Sequence, residues 1–309
     1  MKNKKILLTG GSGMLGQNIL NNPLSKKFDL IAPSRKDLNL YDYDQTLKYI
    51  SLLKPHLIIH AAAKCGGIKY NTEEPLEFLS DNLEINKNIL NSSKENKIKN
   101  FLNISSSCIY PIGNNKPLEE NKILTGSFES TNEGYALSKI YSLKFCEYLS
   151  NSNSNFKYKT LIPCNLYGCY DDFSEHRSHL IPAIIKKIHL AKIKNKKTVS
   201  IWGDGKSRRE FMFAYDLGDF ILNRLESFNK LPFLMNVGVG KDYTVNTYYK
   251  KIAKIIGWKG IFTHDLSKPN GIKRKLVSIK KQNLLSWKPE TSLIEGVNQT
   301  YQYYLNNYN

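Results

Sequence analysis

Tyr135 and Lys139 stand four residues apart, so on a helix they lie on one face, a single turn from each other. A tyrosine titrates near about 10 and moves protons poorly at neutral pH unless a neighbouring cation favours its phenolate. Lys139 is expected to be that cation. Upstream, Ser105, Ser106, Ser107 and Cys108 follow a short apolar run holding Phe101, Leu102 and Ile104. A serine hydroxyl at a strand end can hold a substrate oxygen against the phenol, as general acid catalysis requires. Tyr-x-x-x-Lys recurs by chance on many helices; the Ser-Ser-Cys behind a buried strand gives it weight.

The elements that position this set begin at the amino end. Ile6, Leu7 and Leu8 read as a buried strand, followed by Gly10, Gly13 and Gly16 and the start of a helix. Glycines at that spacing let the backbone approach a pyrophosphate, whose charge meets the helix amides. Gly10, Gly13, Met14, Leu15 and Gly16 are therefore candidate dinucleotide contacts. A second strand, residues 28–32, ends at Pro33, Ser34 and Arg35 with no acidic residue for ribose hydroxyls. Arg35 suits a 2′-phosphate, with Ser34 as helper, and NADP is the expected cofactor. Residues 37–40, Leu40 included, are expected to wall the adenine.

Helical periodicity returns over residues 43–53, and the strand at 57–63 runs into Ala61, Ala62 and Ala63, small enough for a cofactor to lie against. His60 reads as a satisfied core histidine. Residues 64–68 read as a loop, residues 75–94 as a helix, and the Tyr135 helix as continuing past Leu149 into an Asn/Ser break. Strand, helix and strand alternate, which predicts an α/β fold: a Rossmann-like, doubly wound parallel sheet with a smaller carboxy-terminal lobe. Residues 1–165 are expected to form the cofactor unit, with segments around 205–240 returning to it, and residues 166–309 mainly the substrate lobe. The last helix places Leu293, Val297, Tyr301 and Tyr304 at core spacing.

The chain has 309 residues, 41% of them hydrophobic, enough for one large α/β unit with a sizeable core. Lys and Arg number 45 against 27 Asp and Glu, a net charge of +18. That charge attracts an anionic ligand such as a dinucleotide or nucleotide sugar. Nucleic acid is the competing partner, but the lysines are scattered among asparagines with no recognition motif. The five cysteines form no CxxC pair, so free thiols in a reducing compartment are expected, four of them as small packing residues. No metal ligand set stands out. The basic start, Met1 to Lys5, precedes an apolar run too short for a signal peptide, and no run is long enough to span a bilayer, so a cytoplasmic protein with no membrane partner is expected.

With these residues in view, the chain resembles the GDP-L-fucose synthase family of the extended short-chain dehydrogenase/reductase superfamily. The resemblance is carried by Ala61-Ala62-Ala63-Lys64-Cys65-Gly66-Gly67-Ile68, Ser106-Ser107-Cys108-Ile109-Tyr110-Pro111, Thr131-Asn132-Glu133 with Tyr135 and Lys139, and Asn165-Leu166-Tyr167-Gly168. Ser178-His179, Trp202-Gly203, Arg209-Glu210-Phe211, Asn236-Val237-Gly238 and Ser267-Lys268-Pro269 with Arg274 and Lys275 extend it over nearly the whole length.

It implies that Ser106, Tyr135 and Lys139 serve reduction at C4 of a GDP-4-keto-6-deoxy sugar by NADPH. Cys108 as base and His179 as acid would first epimerise C3 or C5, whose hydrogens the neighbouring ketone acidifies. Further cofactor contacts implied are Pro163, Asn165, Leu166 and His179. Ser107, Cys108, Asn165, Lys187, Trp202, Arg209 and Lys275 would face the substrate, Arg209 gripping the diphosphate. The superfamily implies a homodimer through the Tyr135 helix, and its products feed surface polysaccharide. Ser12 and Lys187 stand where the family often has arginine, and residues 168–177 depart from its usual loop. The sugar is thus a hexose or a heptose, and a C4 reductase acting on a separately epimerised sugar is the alternative. A dehydratase would carry an Asp-Glu pair where Ser107, Cys108 and Ile109 stand.

Overall fold

Apolar runs too short to be helices, each followed by glycines or small residues, become parallel strands in the computed structural model, which describes residues 4–113, 115–268 and 271–308. Met1 to Asn3 of the basic start and Pro269 of the family pattern lie outside the described residues. Through the first half run β1 (Lys5–Thr9), α1 (Met14–Leu20), β2 (Asp29–Ile31), α2 (Tyr43–Leu53), β3 (Leu57–His60), α3 (Ile68–Glu73), α4 (Pro75–Glu95), β4 (Asn100–Ile104), α5 (Glu133–Ser152) and β5 (Lys157–Pro163). The boundaries are chemical. Asp42 caps α2 by accepting from the Gln45 amide, and Pro75 opens α4, where its missing N–H costs nothing. The segment read as a loop up to Ile68 turns into α3 at that residue, a helix of six residues that periodicity is too short to announce.

The second half adds β6 (Asn165–Tyr167), α6 (Leu180–Ile193), β7 (Thr198–Trp202), β8 (Arg208–Arg209), β9 (Phe211–Phe213), α7 (Ala214–Leu225) and β10 (Leu234–Val237). It closes with β11 (Tyr243–Thr244), α8 (Val245–Ile256), β12 (Ile261–Asp265), β13 (Arg274–Lys275), α9 (Lys280–Asn283) and α10 (Leu293–Tyr308).

Six strands form one parallel sheet in the order β10-β5-β4-β3-β1-β2. Alternate residues on these strands face opposite ways, and both faces are dry. Ile6, Leu8, Ile59, Leu102 and Leu161 pack with Ile19 of α1 and Leu217 and Phe220 of α7. Leu7, Ile58, Phe101 and Tyr158 pack with Ile50 of α2, Ile89 of α4 and Cys146 of α5. Burying each such side chain contributes about 1.5–3 kcal/mol, more than strand propensity can, so burial on both faces sets the strands. The chain order reverses between β1 and β3, and at such a switch point an open α/β sheet leaves a crevice at its carboxyl ends.

Short sheets, β11-β8-β13, β12-β7 and β6-β9, lie outside this sheet. A second apolar cluster joins Ile181, Ile185 and Ile188 of α6, Tyr248 and Ile252 of α8, and Val297, Tyr301 and Tyr304 of α10. Asp242 holds the small sheet, accepting from Arg208 at 2.8 Å and from Arg274 at 2.6 Å. Among the described residues no helix is long and apolar enough to cross a membrane.

Candidate active site

At the switch point the glycine turn is held by contact. Gly10 has φ +76°, and a Cβ there would lie 2.6 Å from the Ala62 amide nitrogen; one on Gly16 would lie 2.2 Å from the Gly10 carbonyl oxygen. Gly13 differs, since its Cβ would meet nothing nearer than 3.4 Å. No side chain caps α1, so an open, amide-lined face leads from Gly13 into Met14, Leu15 and Gly16, which fits a pyrophosphate. Ala61, whose amide donates to the Thr9 carbonyl at 3.2 Å, Ala62 and Ala63 continue the crevice. His60 lies behind it, fully buried, its two ring nitrogens on Thr9 Oγ1 at 2.8 Å and Asn86 Oδ1 at 2.9 Å. Burial, then the Lys139 charge, pushes it down to about 3, so it is a neutral core residue.

Beyond β2, the Arg35 guanidinium stands 4.9 Å from the Tyr41 ring centroid. Ser34 is already engaged, its hydroxyl donating to Asp37 Oδ2 at 2.6 Å. Leu38 and Leu40 do not wall a cofactor with their side chains. Both are buried among Ile50, Ile58 and Ile89, where apolar surface is better spent than facing a ribose.

The catalytic candidates collect at the ends of β4 and β13. Ser106 caps a single turn, its Oγ accepting from the Cys108 amide at 3.3 Å, with Ser107 buried beside it. Lys275, itself buried, donates from Nζ to Cys108 Sγ at 3.2 Å. One pairing is added here and one expectation changes. Lys275 meets the sulfur of the candidate base, and Cys65, expected as one of four packing cysteines, is exposed with its Sγ 3.5 Å from the Tyr135 hydroxyl. Cys65 follows β3 at the crevice, and that position after a central strand at a switch point was the signal available for it.

Tyr135 and Lys139 share a face of α5 as the spacing requires, and the lysine ammonium is held by backbone. Its Nζ donates to the Ile104 carbonyl at 3.0 Å and lies 5.7 Å from the Tyr135 ring centroid. A buried ammonium needs an acceptor, and the end of β4 supplies one. Desolvation raises Tyr135 well above its ordinary value, and Cys65 and Cys108 add to the rise, while desolvation lowers Lys139. The phenol therefore keeps its proton across neutral pH, the form a general acid needs.

His179 caps α6 without a side-chain bond. Desolvation lowers it, Lys275 adds to the fall, and Asp172 opposes. The loop before it is pinned to the Cys65 loop, because Gly67 donates to the Arg177 carbonyl at 2.9 Å and has no room for a Cβ, 2.3 Å from the Ser178 oxygen. Lys275→Met is expected to move the His179 titration midpoint upward, towards an ordinary histidine, by removing the like charge. NMR titration of the histidine ring protons measures it, and an unmoved midpoint would leave desolvation as the sole cause.

Arg209 brings a desolvated guanidinium to the same region. Its Nη1 donates to the Arg208 carbonyl at 2.9 Å and the Ile272 carbonyl at 2.6 Å; desolvation lowers it, and charge on Glu129 and Cys108 opposes. Asn165 spends its amide on the Glu210 carbonyl at 2.9 Å, and Pro163 pairs with Val237 in the sheet, with Leu166 packed behind. Lys187, on α6, meets β7, whose last residue is Trp202. Lys187 Nζ is engaged by the Ser200 carbonyl, and Lys268 lies 5.8 Å above the half-exposed Trp202 ring.

The family model for the NAD dependent epimerase/dehydratase family matches residues 6–238. A GDP-L-colitose synthase from Yersinia pseudotuberculosis is 50% identical over 99% of both chains, and a GDP-L-fucose synthase from Azorhizobium caulinodans is 48% identical over 98% of this chain and 97% of its own. The chain belongs to the GDP-L-fucose synthase family. A solved GDP-mannoheptose C4 reductase from Campylobacter jejuni with NADP bound superposes with a TM-score of 0.88 at 28% identity, covering 99% of both chains. For a member of the GDP-L-fucose synthase family, the pairing of Cys108 with Lys275 and the second thiol at Cys65 are what the geometry adds.

Proposed function

We propose that the protein is an NADP-dependent enzyme that reduces C4 of a GDP-4-keto-6-deoxy sugar after inverting C3 or C5. The observation that carries this is the Lys275 ammonium 3.2 Å from the Cys108 sulfur, in the same cluster as a proton-bearing Tyr135. The form of cysteine that removes a proton is the thiolate, and Lys275 supplies its counter-charge. Cys108 takes the hydrogen next to the ketone and His179 returns one to the opposite face. The diphosphate, gripped by Arg209, brings negative charge that opposes the downward pull on His179 and favours its protonated form. Gly10, Gly13, Met14, Leu15, Gly16, Arg35 and the alanines after β3 hold NADPH, which when bound supplies the hydride to C4. Ser106 holds the C4 oxygen while the Tyr135 phenol gives it a proton.

Residues 1–165 with 205–240 hold the cofactor in this reading, and the remainder mainly holds the sugar. A homodimer through α5, where Leu137 and Tyr148 are exposed, a cytoplasmic site of action and supply of surface polysaccharide belong to the same proposal. A second reading, reduction at C4 alone, draws on the downward shift of His179. Incubating the protein with GDP-4-keto-6-deoxy-mannose in deuterium oxide separates the two. Deuterium at C3 or C5 without NADPH, then NADPH oxidation when it is added, is the expected result. Oxidation with no deuterium uptake leaves only the reductase, and neither signal would discard the function altogether.

A further inference from the structure

Glu210, the residue after Arg209, is fully buried and touches no candidate reacting group, yet its carboxylate accepts three backbone N–H groups. Oε1 takes Val239 and Gly240, both at 2.7 Å, from the turn after β10, and Oε2 takes Val277 at 2.9 Å, two residues past Lys275. The Glu210 amide also donates to the Lys275 carbonyl at 3.2 Å. One residue therefore grips the Lys275 segment on both sides of Leu276 and ties it to β10.

Cys108 is referred to the same strand from another direction. Tyr110, two residues on, donates its hydroxyl to Asn236 Oδ1 at 2.6 Å, and the Asn236 amide donates to the Ser278 carbonyl at 3.1 Å. The sulfur and the ammonium that meet at 3.2 Å thus sit on segments both fixed at β10 and the turn after it, Cys108 through Tyr110 and Asn236, Lys275 through Glu210 and, at Ser278, through the same Asn236. The approach is tight. A Cβ on Gly238 would lie 2.6 Å from Glu210 Oε1 and 2.6 Å from Val277 Cγ2.

We propose that Glu210 is a positioning residue for the epimerisation half-reaction: its carboxylate sets the Lys275 ammonium on the Cys108 sulfur. This rests on the function proposed above. A glutamine here would point an amide at backbone N–H groups, donor against donor, and release the Lys275 segment or the β10 turn. Misplacement by about 1 Å can cost about 100-fold in rate. Burial pushes the Glu210 carboxyl up to about 7, while the three backbone N–H groups pull it back toward the carboxylate.

The test measures wild type, Glu210→Gln and Gly238→Ala for deuterium exchange at C3 and C5 without NADPH, for NADPH-dependent reduction of the already epimerised keto sugar, and for NADPH affinity. Exchange is expected to fall about tenfold or more in both variants, with reduction within about threefold of wild type and NADPH affinity unchanged. Exchange preserved in a folded variant would overturn the proposal. So would equal losses in both half-reactions, or failure of both variants to fold, since either makes Glu210 a residue of the fold alone. If wild type itself does not exchange, the function has failed rather than the role of Glu210.

Discussion

Tyr135→Phe is expected to lower NADPH-dependent reduction by about 10²–10⁴-fold while leaving the fold intact. Among the described residues the phenol's hydrogen-bond contact is the weak one to Cys65 Sγ at 3.5 Å, so phenylalanine removes a proton donor and little else. Its ring keeps the edge-on packing against Phe78 at 6.4 Å, and stability should change by less than about 0.5 kcal/mol. The proton removed by Cys108 does not pass through Tyr135, so deuterium exchange at C3 and C5 should fall by no more than about tenfold, the part lost with polarisation of the ketone. Because Tyr135 is held well above its ordinary value, wild-type reduction should show no loss on the alkaline side from this group up to about pH 9. Stopped-flow NADPH oxidation and NMR of the exchanged sugar give the two rates. Reduction that survives the substitution would move the general acid elsewhere.

Cys108→Ser carries the second large effect, in the other half-reaction. A serine hydroxyl can still accept from Lys275, so that buried ammonium keeps a partner, but it is far too weak a base to take the sugar hydrogen. Exchange at C3 and C5 is expected to fall by about 10²–10⁴-fold, while NADPH-dependent reduction of an already epimerised sugar stays within about threefold. NMR in deuterium oxide without NADPH reads the first and absorbance the second. Exchange that persists would pass the role of base to Cys65, the other thiol beside Tyr135.

The two halves of the site differ in how they are built. In the proposed reaction, reduction draws on Ser106, Tyr135 and Lys139, which come from the turn after β4 and from the helix α5 that follows it in the chain. Proton exchange, as proposed, draws on groups far apart in sequence, Cys108, His179, Lys275 and, through the backbone, Glu210. A change in the substrate-lobe strands can therefore alter epimerisation while reduction survives.

The sequence alone determined whatever has a local period or a local spacing. Parallel strands buried on both faces appear as unbroken apolar runs, glycines pressed against backbone appear as Gly10 and Gly16, and a shared helix face appears as Tyr135 and Lys139 four apart. Only the tertiary structure decided the partners. Lys139 went to the Ile104 carbonyl, Lys275 to a sulfur 167 positions away, Cys65 to the phenol and Leu40 to the core. A buried charge takes whichever acceptor the fold brings within reach, and that acceptor is set by crossovers joining distant segments, which no local pattern along the chain records.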